Sequence, residues 1–375
     1  MNQTQSKLRA DLPQDMRDIR AEVLDEYQQP HDKPWIVGFS GGKDSTLVLQ
    51  VVFEAVLRTP PSERRRKVVV TCNDTMVESP IVDRFVNATL DSVRAGAEAL
   101  KLPIEVVQTR PDPDQTFWVN LLGRGYPAPN RTFRWCTDRM KIRPTSLVID
   151  SIVKEGGEAI LLLGARRQES AARAKVVAKY STKGQRLNKH NDVPGCWVYR
   201  PIVELSTDDV WFVLSAARPP WGGSHRGLVA LYKTASGGEC PYVTSKDDAP
   251  SCGSNSARFG CWTCTVVEKD ASLEGLIDMG MEELEPLYEF RNRLKEVSGT
   301  SKYRSKMRRT GQAGLGPLTY EAREMLLTEL LDIQEETELV LISKDEERRV
   351  RDWWLRDQST DAKRSAEATL LQPLN

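Results

Sequence analysis

The sequence predicts an α/β protein built on a doubly wound, mostly parallel sheet with helices on both faces. Short apolar runs alternate along the chain with longer segments whose apolar residues recur at helical spacing, which is the pattern of parallel strands joined by crossover helices. Polar and charged residues cluster after three of these runs, and ligands of such sheets bind beyond the carboxyl ends of the strands. The predicted strands are Trp35–Phe39, Lys67–Thr71, Ile104–Gln108 and Glu158–Leu163.

Helices are predicted between these strands and at both ends of the chain. Pro80 suits the first turn of a long helix that ends near Leu100. Ser206 or Thr207 can cap a helix that has acidic residues in its first turn. The polar residues 175–195 predict a loop, and residues 270–375 have a charged, helical pattern. Further helices are predicted over residues 15–27, 43–57 and 144–154.

Composition narrows the classes of function. The 375-residue chain has 53 basic and 53 acidic side chains, so its formal net charge is zero. The protein as a whole does not attract DNA or RNA, which would have to bind a local basic patch. No apolar run reaches the ~18 residues of a membrane span, and the polar N-terminus lacks the apolar stretch of a secretion signal. We expect a cytoplasmic protein with no membrane partner. Basic stretches at 131–143, 166–175 and 302–309 are candidate patches, although such runs are usually solvated surface.

The most informative stretch is Ser40–Ser45, Ser-Gly-Gly-Lys-Asp-Ser, between the first strand and the first helix of the sheet. Gly41 and Gly42 permit a tight turn and close approach of an anion, and the N–H groups that begin the following helix face that anion. Lys43 adds positive charge. The spacing differs from the phosphate loop of kinases and GTPases. The stretch predicts a phosphate-binding turn; the alternative is an ordinary strand-to-helix turn.

Four of the seven cysteines crowd into one stretch, Cys240-x11-Cys252-x8-Cys261-x2-Cys264. The Cys-x-x-Cys pair is typical of a metal chelate, and adjacent glycines let the backbone wrap an ion or cluster. Four thiolates suit either structural Zn²⁺ or a [4Fe–4S] cluster, and the spacing alone leaves both open. Buried cysteines without a metal are the remaining alternative.

Cys136 stands apart from that stretch, between Arg131, Arg134 and Arg139. Positive neighbours lower the pKa of a thiol and favour its nucleophilic thiolate form. The setting predicts a reactive cysteine, against the alternative of a small buried side chain.

Four motifs in order resemble the phosphoadenosine-phosphosulfate (PAPS) reductase branch of the PP-loop ATP pyrophosphatases, which split ATP between its α and β phosphates. They are Ser40–Ser45, Asn73-Asp74-Thr75 with Glu78, Gly164–Ser170 (GxRxxES), and Arg200-Pro201-Ile202 followed by Thr207–Trp211. The resemblance covers roughly residues 30–270 and implies an adenine nucleotide alpha hydrolase-like fold.

The resemblance also implies the ATP site. Asp74 would hold the adenosine, Arg166 would lie near the phosphates, and Asp44 would help to hold Mg²⁺ on the triphosphate. The implied catalytic residues are Lys43, Asp44, Cys136 and Arg166. The implied ATP-binding residues are Ser40, Gly41, Gly42, Lys43, Asp44, Ser45, Asp74, Gly164, Arg166 and Glu169.

The segment Arg134–Thr137, the cysteine spacing and the tail Gly316–Arg323 look most like the DNA-phosphorothioation sulfurtransferases (DndC/SspD type), a class of DNA modification and restriction systems. This resemblance implies an ATP pyrophosphatase and sulfurtransferase that adenylates a DNA backbone phosphate, releases pyrophosphate and supports sulfur insertion. The implied partners are DNA, a cysteine desulfurase as sulfur donor and other phosphorothioation proteins. The implied [4Fe–4S] ligands are Cys240, Cys252, Cys261 and Cys264, with Cys136 as sulfur carrier or alternative ligand.

Three other functions stay open on the same sequence. One is a PAPS or adenosine-phosphosulfate reductase of sulfate assimilation, whose reductive cysteine normally lies in a C-terminal tail; no cysteine follows Cys264. The others are tRNA thiolation and a non-enzymatic, nucleotide-sensing DNA-binding subunit. The predicted domains are an N-terminal arm (1–33), a PP-loop domain (34–235), a cysteine-rich iron–sulfur segment (236–269) and a helical region (270–375), and the sequence is compatible with an oligomer.

Overall fold

A six-stranded sheet organises the computed structural model, which describes residues 14–182, 184–235 and 260–370. The strands run in the order β3-β2-β1-β4-β6-β5, and all pairs are parallel except β5 with β6. The α/β prediction is therefore confirmed. Strand order reverses between β1 and β4, which is where open α/β sheets bind ligands. The strands are β1 (Trp35–Gly38), β2 (Val68–Asn73), β3 (Ile104–Thr109), β4 (Ala159–Leu162), β5 (Leu187–Lys189) and β6 (Cys196–Tyr199).

The centre of the sheet is apolar on both faces. Ile36 of β1 pairs with Val69 of β2 and Leu161 of β4, and all three are buried. Such continuous apolar strands are expected where helices cover both faces. The four predicted strands match β1 to β4 to within two residues at each end.

Helices of eight residues or more number eleven in the described part of the chain. The predicted cap at Ser206 is confirmed: its hydroxyl accepts from the N–H of Asp209, and the Asp209 carboxylate accepts from the N–H of Ser206. The helices are α1 (Gln14–Tyr27), α2 (Lys43–Arg58), α3 (Pro80–Ala99), α4 (Arg143–Gly156), α5 (Ala171–Tyr180), α6 (Thr207–Ala216), α7 (Arg226–Ala235), α8 (Ala271–Asp278), α9 (Glu285–Gly299), α10 (Tyr320–Thr337) and α11 (Lys344–Leu370). Shorter turns lie at Pro61–Glu63, Pro113–Gln115, Val119–Gly123, Trp135–Thr137, Asp138–Ile142, Arg167–Glu169, Glu282–Leu284 and Ser301–Tyr303.

The loop predicted over residues 175–195 is wrong in part. The end of α5 and the whole of β5 lie in that stretch. In short helices and strands with polar exposed faces, few apolar residues recur at regular spacing, so the sequence of this stretch resembles a loop. β5 forms a hairpin with β6 through antiparallel pairing, and its three residues, Leu187–Lys189, are too few and too polar to show a strand pattern.

The chain divides into two compact units. Of the described residues, the first contains the sheet and comprises 14–73, 79–109, 144–182 and 184–235. The second comprises Asp74–Glu78, Arg110–Arg143 and residues 260–370. The four consecutive domains of the sequence analysis stay a prediction, because compactness does not show which segment folds independently.

The second unit is mainly helical, as the pattern after residue 270 predicts. Its core joins segments that are distant in sequence: the indole N–H of Trp118 donates to Leu341 O at 2.7 Å, and that of Trp354 donates to Leu122 O at 2.8 Å. Among the helices of the described residues, none is long and apolar enough to cross a membrane.

Candidate functional site

The predicted phosphate-binding turn joins β1 to α2 and is fixed by its own hydrogen bonds. The Ser45 hydroxyl donates to Gly42 O at 2.9 Å and accepts from the Ser40 N–H at 3.2 Å. Gly41 has a φ of 75°, and a Cβ at this position would collide with Val86 of α3. Any other residue at Gly41 would therefore be strained in its backbone and also meet a side chain.

A charged group lies directly beside this turn. The buried Arg166 donates from Nε to Asp44 Oδ1 at 2.7 Å, and Lys43 Nζ lies 3.1 Å from Asp44 Oδ2. The other ends of the guanidinium donate to Leu205 O at 3.1 Å and Thr207 Oγ1 at 3.2 Å. The fold thus places Arg166 next to the turn, and its role toward the phosphates stays a prediction. Its guanidinium holds Asp44 and the start of α6 rather than offering a free fork to phosphate.

Gly164 brings the end of β4 against the turn. A Cβ at this glycine would lie 2.8 Å from the carbonyl carbon of Asp44 and 2.8 Å from the N of Ser45. Two backbones can pass this closely only if one residue lacks a side chain. The two chain segments that flank the reversal of strand order are therefore in direct contact.

Tyr232 of α7 is a site residue that the sequence analysis missed. Its hydroxyl accepts from the N–H of Lys43 at 3.2 Å, and Lys43 Nζ lies 5.6 Å from the centre of its ring. Burial raises the pKa of Tyr232 to about 12, so the hydroxyl is neutral at physiological pH. No motif marks it, and 189 residues separate it from Lys43; only the fold brings the two together.

The remaining predicted ATP residues have partners of their own. Glu169 pairs with Arg173 at 3.1 Å at the start of α5. Asp74, in the second unit, accepts from the N–H of Met76 at 2.8 Å and from Arg110 Nε at 2.9 Å. Their roles in nucleotide binding stay predictions.

The second unit contains a group of cysteines. Cys261 and Cys264 form one tight turn, in which the N–H of Cys264 donates to Cys261 O at 3.0 Å. Thr75 Oγ1 lies 3.3 Å from Cys261 Sγ and donates to Glu78 Oε1 at 2.7 Å. Glu78 and Cys261 are also joined by an antiparallel bridge. The Cys-x-x-Cys pair is thus held against residues 75–78.

The electrostatics of this group differ from the sequence expectation for Cys136. Burial raises the pKa of the Cys136 thiol, and the charge of nearby Cys264 raises it further, while Lys141 lowers it. The predicted lowering by the neighbouring arginines is therefore wrong. One of them, Arg139, points away and donates to the Tyr126 hydroxyl at 3.0 Å. Cationic neighbours in sequence lower a thiol pKa only when their charges lie close to the sulfur.

Two other side chains of the group have shifted pKa values. Burial and then the Glu78 carboxylate raise the pKa of Cys261 to about 12. Lys141 has its pKa raised, chiefly by Cys261 and against the effect of its own burial. Thiol and ammonium therefore favour each other's charged forms.

The described residues supply only part of a metal site. Over 14–182, 184–235 and 260–370, no group of three or more His, Cys, Asp or Glu is arranged to hold a metal ion. Two of the four predicted ligands, Cys240 and Cys252, lie outside these ranges. The turn of Cys261 and Cys264 fits thiolate ligation in its chemistry, and the Thr75 hydroxyl lies 3.3 Å from the Cys261 sulfur.

Comparison with known proteins gives a family. Residues 34–267 match the phosphoadenosine phosphosulfate reductase domain family. An uncharacterized protein of Methanocaldococcus jannaschii is 26% identical over 189 residues, which cover 50% of this chain and 33% of that protein. The match thus spans about a third of the length of that curated relative.

Three solved structures are similar at low identity. PAPS reductase from Candida auris is 14% identical with a TM-score of 0.32, covering 51% of this chain and 76% of that one. The [4Fe–4S] U34-tRNA thiolase of Methanococcus maripaludis is 12% identical with a TM-score of 0.33 (75% and 80% coverage). NAD⁺ synthetase of Burkholderia pseudomallei is 11% identical with a TM-score of 0.37 (87% and 89%). None of these likenesses is close enough to inform the chemistry of this chain.

Proposed function

The chain belongs to the phosphoadenosine phosphosulfate reductase domain family, and we propose that it is an ATP-dependent sulfurtransferase of DNA phosphorothioation. The observation that carries the ATP part is the glycine turn at the reversal of strand order, with Lys43 and Asp44 beside it. Backbone N–H groups at the start of α2 and a lysine form an anion site of the kind that triphosphates occupy.

The proposed activation step uses these groups on ATP. A non-bridging oxygen of a DNA phosphate attacks the α phosphorus, and pyrophosphate leaves with its pair of electrons. Lys43 and the N–H groups of the turn stabilise the charge that builds up on the leaving pyrophosphate. Asp44, fixed by Arg166 at 2.7 Å, would hold Mg²⁺ together with the phosphates.

The sulfur step follows from that activation. The adenylated phosphate now carries AMP, a good leaving group, which a sulfur nucleophile displaces together with the original oxygen. Cys136 is the proposed carrier of that sulfur, as a persulfide whose outer sulfur attacks the phosphorus. A second thiol then cleaves the S–S bond, so that the sulfur stays on phosphorus and Cys136 forms a disulfide that a thiol reductant reopens. Because its thiol pKa is raised by burial, it is neutral without a partner, and a cysteine desulfurase would have to deliver the sulfur to it.

The cysteine group would hold a [4Fe–4S] cluster, or Zn²⁺ as the alternative. Cys261 and Cys264 are the described ligands, Cys240 and Cys252 the predicted others, and Cys136 the alternative ligand. A bound cluster supplies electrons or a labile sulfide.

Pyrophosphate release from ATP, with and without duplex DNA, tests the proposal. We expect release that DNA stimulates and that Lys43→Ala and Asp44→Ala abolish. Lys154→Ala, which removes an exposed lysine of α4, is the matched control and should leave release unchanged. Release stimulated by tRNA alone would favour tRNA thiolation, and turnover of a sulfonucleotide without DNA would favour a reductase. Nucleotide binding without any release would favour a sensing subunit.

Elemental analysis of protein purified without oxygen tests the metal assignment. We expect iron and acid-labile sulfide in equal amounts, and their loss in Cys261→Ser. Stoichiometric zinc with no sulfide would replace the cluster by the zinc alternative.

A further inference from the structure

Two distant segments of the second unit build one basic surface. It consists of Arg124, Tyr126 and Arg139 from one segment and Arg308 and Arg309 from the other. The guanidinium groups of Arg139 and Arg309 lie 4.7 Å and 4.8 Å from the centre of the Tyr126 ring. Arg309 also donates to the carbonyl oxygen of Arg124. One aromatic ring therefore fixes two cations, and stacking of this kind limits the motion of the planar guanidinium.

A neutral side chain anchors the cations beneath this surface. Asn120 is fully buried, and its amide nitrogen donates to Thr116 O at 2.9 Å. Its Oδ1 accepts from both Arg124, at 3.3 Å, and Arg139. Two positively charged side chains, Arg124 and Arg139, are thus held next to each other by one uncharged acceptor, the Asn120 amide oxygen. Burial and the charge of Arg139 accordingly lower the pKa of Arg124.

The other segment is a short hairpin. Bridges join Arg304 to Leu318 and Met307 to Ala313, and the chain turns at Gly311 with a φ of 79°. Residues 306–313 are exposed. The hairpin therefore presents its basic side chains to solvent: Lys306, Arg308 and Arg309.

Among the described residues these arginines have no carboxylate at ion-pair distance, although the charge of Asp114 acts on Arg124; their neighbours in the unit do have such partners. Across the described residues, none of Arg124, Arg139, Arg308 and Arg309 appears in an ion pair. On α11, by contrast, basic side chains pair with carboxylates one turn away: Arg348 and Arg349 with Asp345, and Arg351 with Glu347. Convergence of unpaired cations costs folding free energy, and a bound polyanion would offset that cost.

We propose that this basic surface binds the phosphodiester backbone of duplex DNA, an inference that rests on the proposed function for the choice of DNA. Guanidinium groups match phosphate oxygens in two-point hydrogen bonds. Contacts of this type position a duplex without reading its sequence. The hairpin then acts as a docking element, and with Arg139 it joins two of the basic stretches that are candidate patches in the sequence, 131–143 and 302–309.

Salt-dependent binding of a fluorescein-labelled, mixed-sequence duplex tests the surface. We compare the full chain with R308A/R309A and with R65A/K101A, a control that removes two exposed cations from the first unit. Losing two phosphate contacts should make the slope of log affinity against log salt shallower by about 1.8. Between 50 and 200 mM salt this is about a 12-fold smaller loss of affinity. The control should keep the wild-type slope.

A charge-retaining variant separates binding from folding. R308K/R309K should recover most of the slope, and the melting temperature of each variant identifies any loss of fold. Unchanged slope and affinity in R308A/R309A, an equal effect in the control, or binding of RNA but not DNA would each overturn the proposal. Pyrophosphate release in the presence of duplex should be the same in wild type and in the R65A/K101A control. Failure of the ATP proposal therefore shows as absent release in all proteins, independently of the slopes.

Discussion

Gly164→Ala should uncouple the phosphate turn from the sheet without removing any functional group. The new Cβ would lie 2.8 Å from the Asp44 carbonyl carbon and the Ser45 nitrogen. Ordinary contact begins near 3.4 Å, so the backbones must separate by about 0.6 Å. Overpacking of this kind costs about 1–3 kcal/mol. Because a misplacement of about 1 Å can cost on the order of 100-fold in rate, we expect pyrophosphate release to fall by about 10-fold or more.

Gly156→Ala is the matched control for that variant. It lies at the end of α4 in the same unit, where a Cβ would meet only Pro34 at an ordinary 3.5 Å. We expect its activity and melting temperature to stay close to wild type. A Gly164→Ala protein that releases pyrophosphate within twofold of the wild-type rate would show that the contact does not position the turn.

Other substitutions test single contacts of the first unit. Arg166→Met should lower the free energy of unfolding by about 3 kcal/mol, because it leaves the Asp44 carboxylate without its buried partner. In denaturant unfolding, Arg166→Met should have a smaller effect when Asp44 is replaced by Asn. Equal effects in the two backgrounds would contradict the pairing. Tyr232→Phe removes the acceptor that competes with phosphate for the Lys43 N–H, so ATP should bind about 5-fold more tightly by calorimetry; unchanged or weaker binding would argue against competition. Burial lowers the pKa of His225 from 6.5 to about 4. As the pH falls, the unfolded chain therefore protonates this histidine at a higher pH than the folded chain does. The stability that His225 contributes is present above pH 6.5 and falls by about 3 kcal/mol as the pH drops to about 4. Wild type should lose this much more stability than His225→Gln between pH 7 and 4, and parallel curves would disprove the shift.

The sheet could be predicted from sequence because its information is local. The strands β1 to β4 are apolar runs, and the turn at residues 40–45 carries its glycines and serines in one hexad. Gly164 and Arg166 follow a strand directly, so their position at the edge of the sheet follows from the topology.

What the sequence could not show depends on distant contacts. Tyr232 reaches Lys43 only through the packing of α7. Arg166 donates hydrogen bonds to Asp44 and to Thr207 at the start of α6. These partners come close to Arg166 only in the folded protein, so the sequence does not identify them. The thiol of Cys136 has arginine neighbours along the chain, but burial dominates its pKa in the folded protein.

The discontinuity of the second unit has a consequence for synthesis on the ribosome. The indole N–H of Trp118 can form its hydrogen bond only after Leu341, 223 residues later in the chain, has been synthesised. Until then residues 110–143 emerge with large aromatic side chains that have no final place to pack, and contacts of such long range close slowly. The nascent chain should therefore depend on chaperones during translation, and a version cut before α10 should aggregate rather than yield a shorter stable protein.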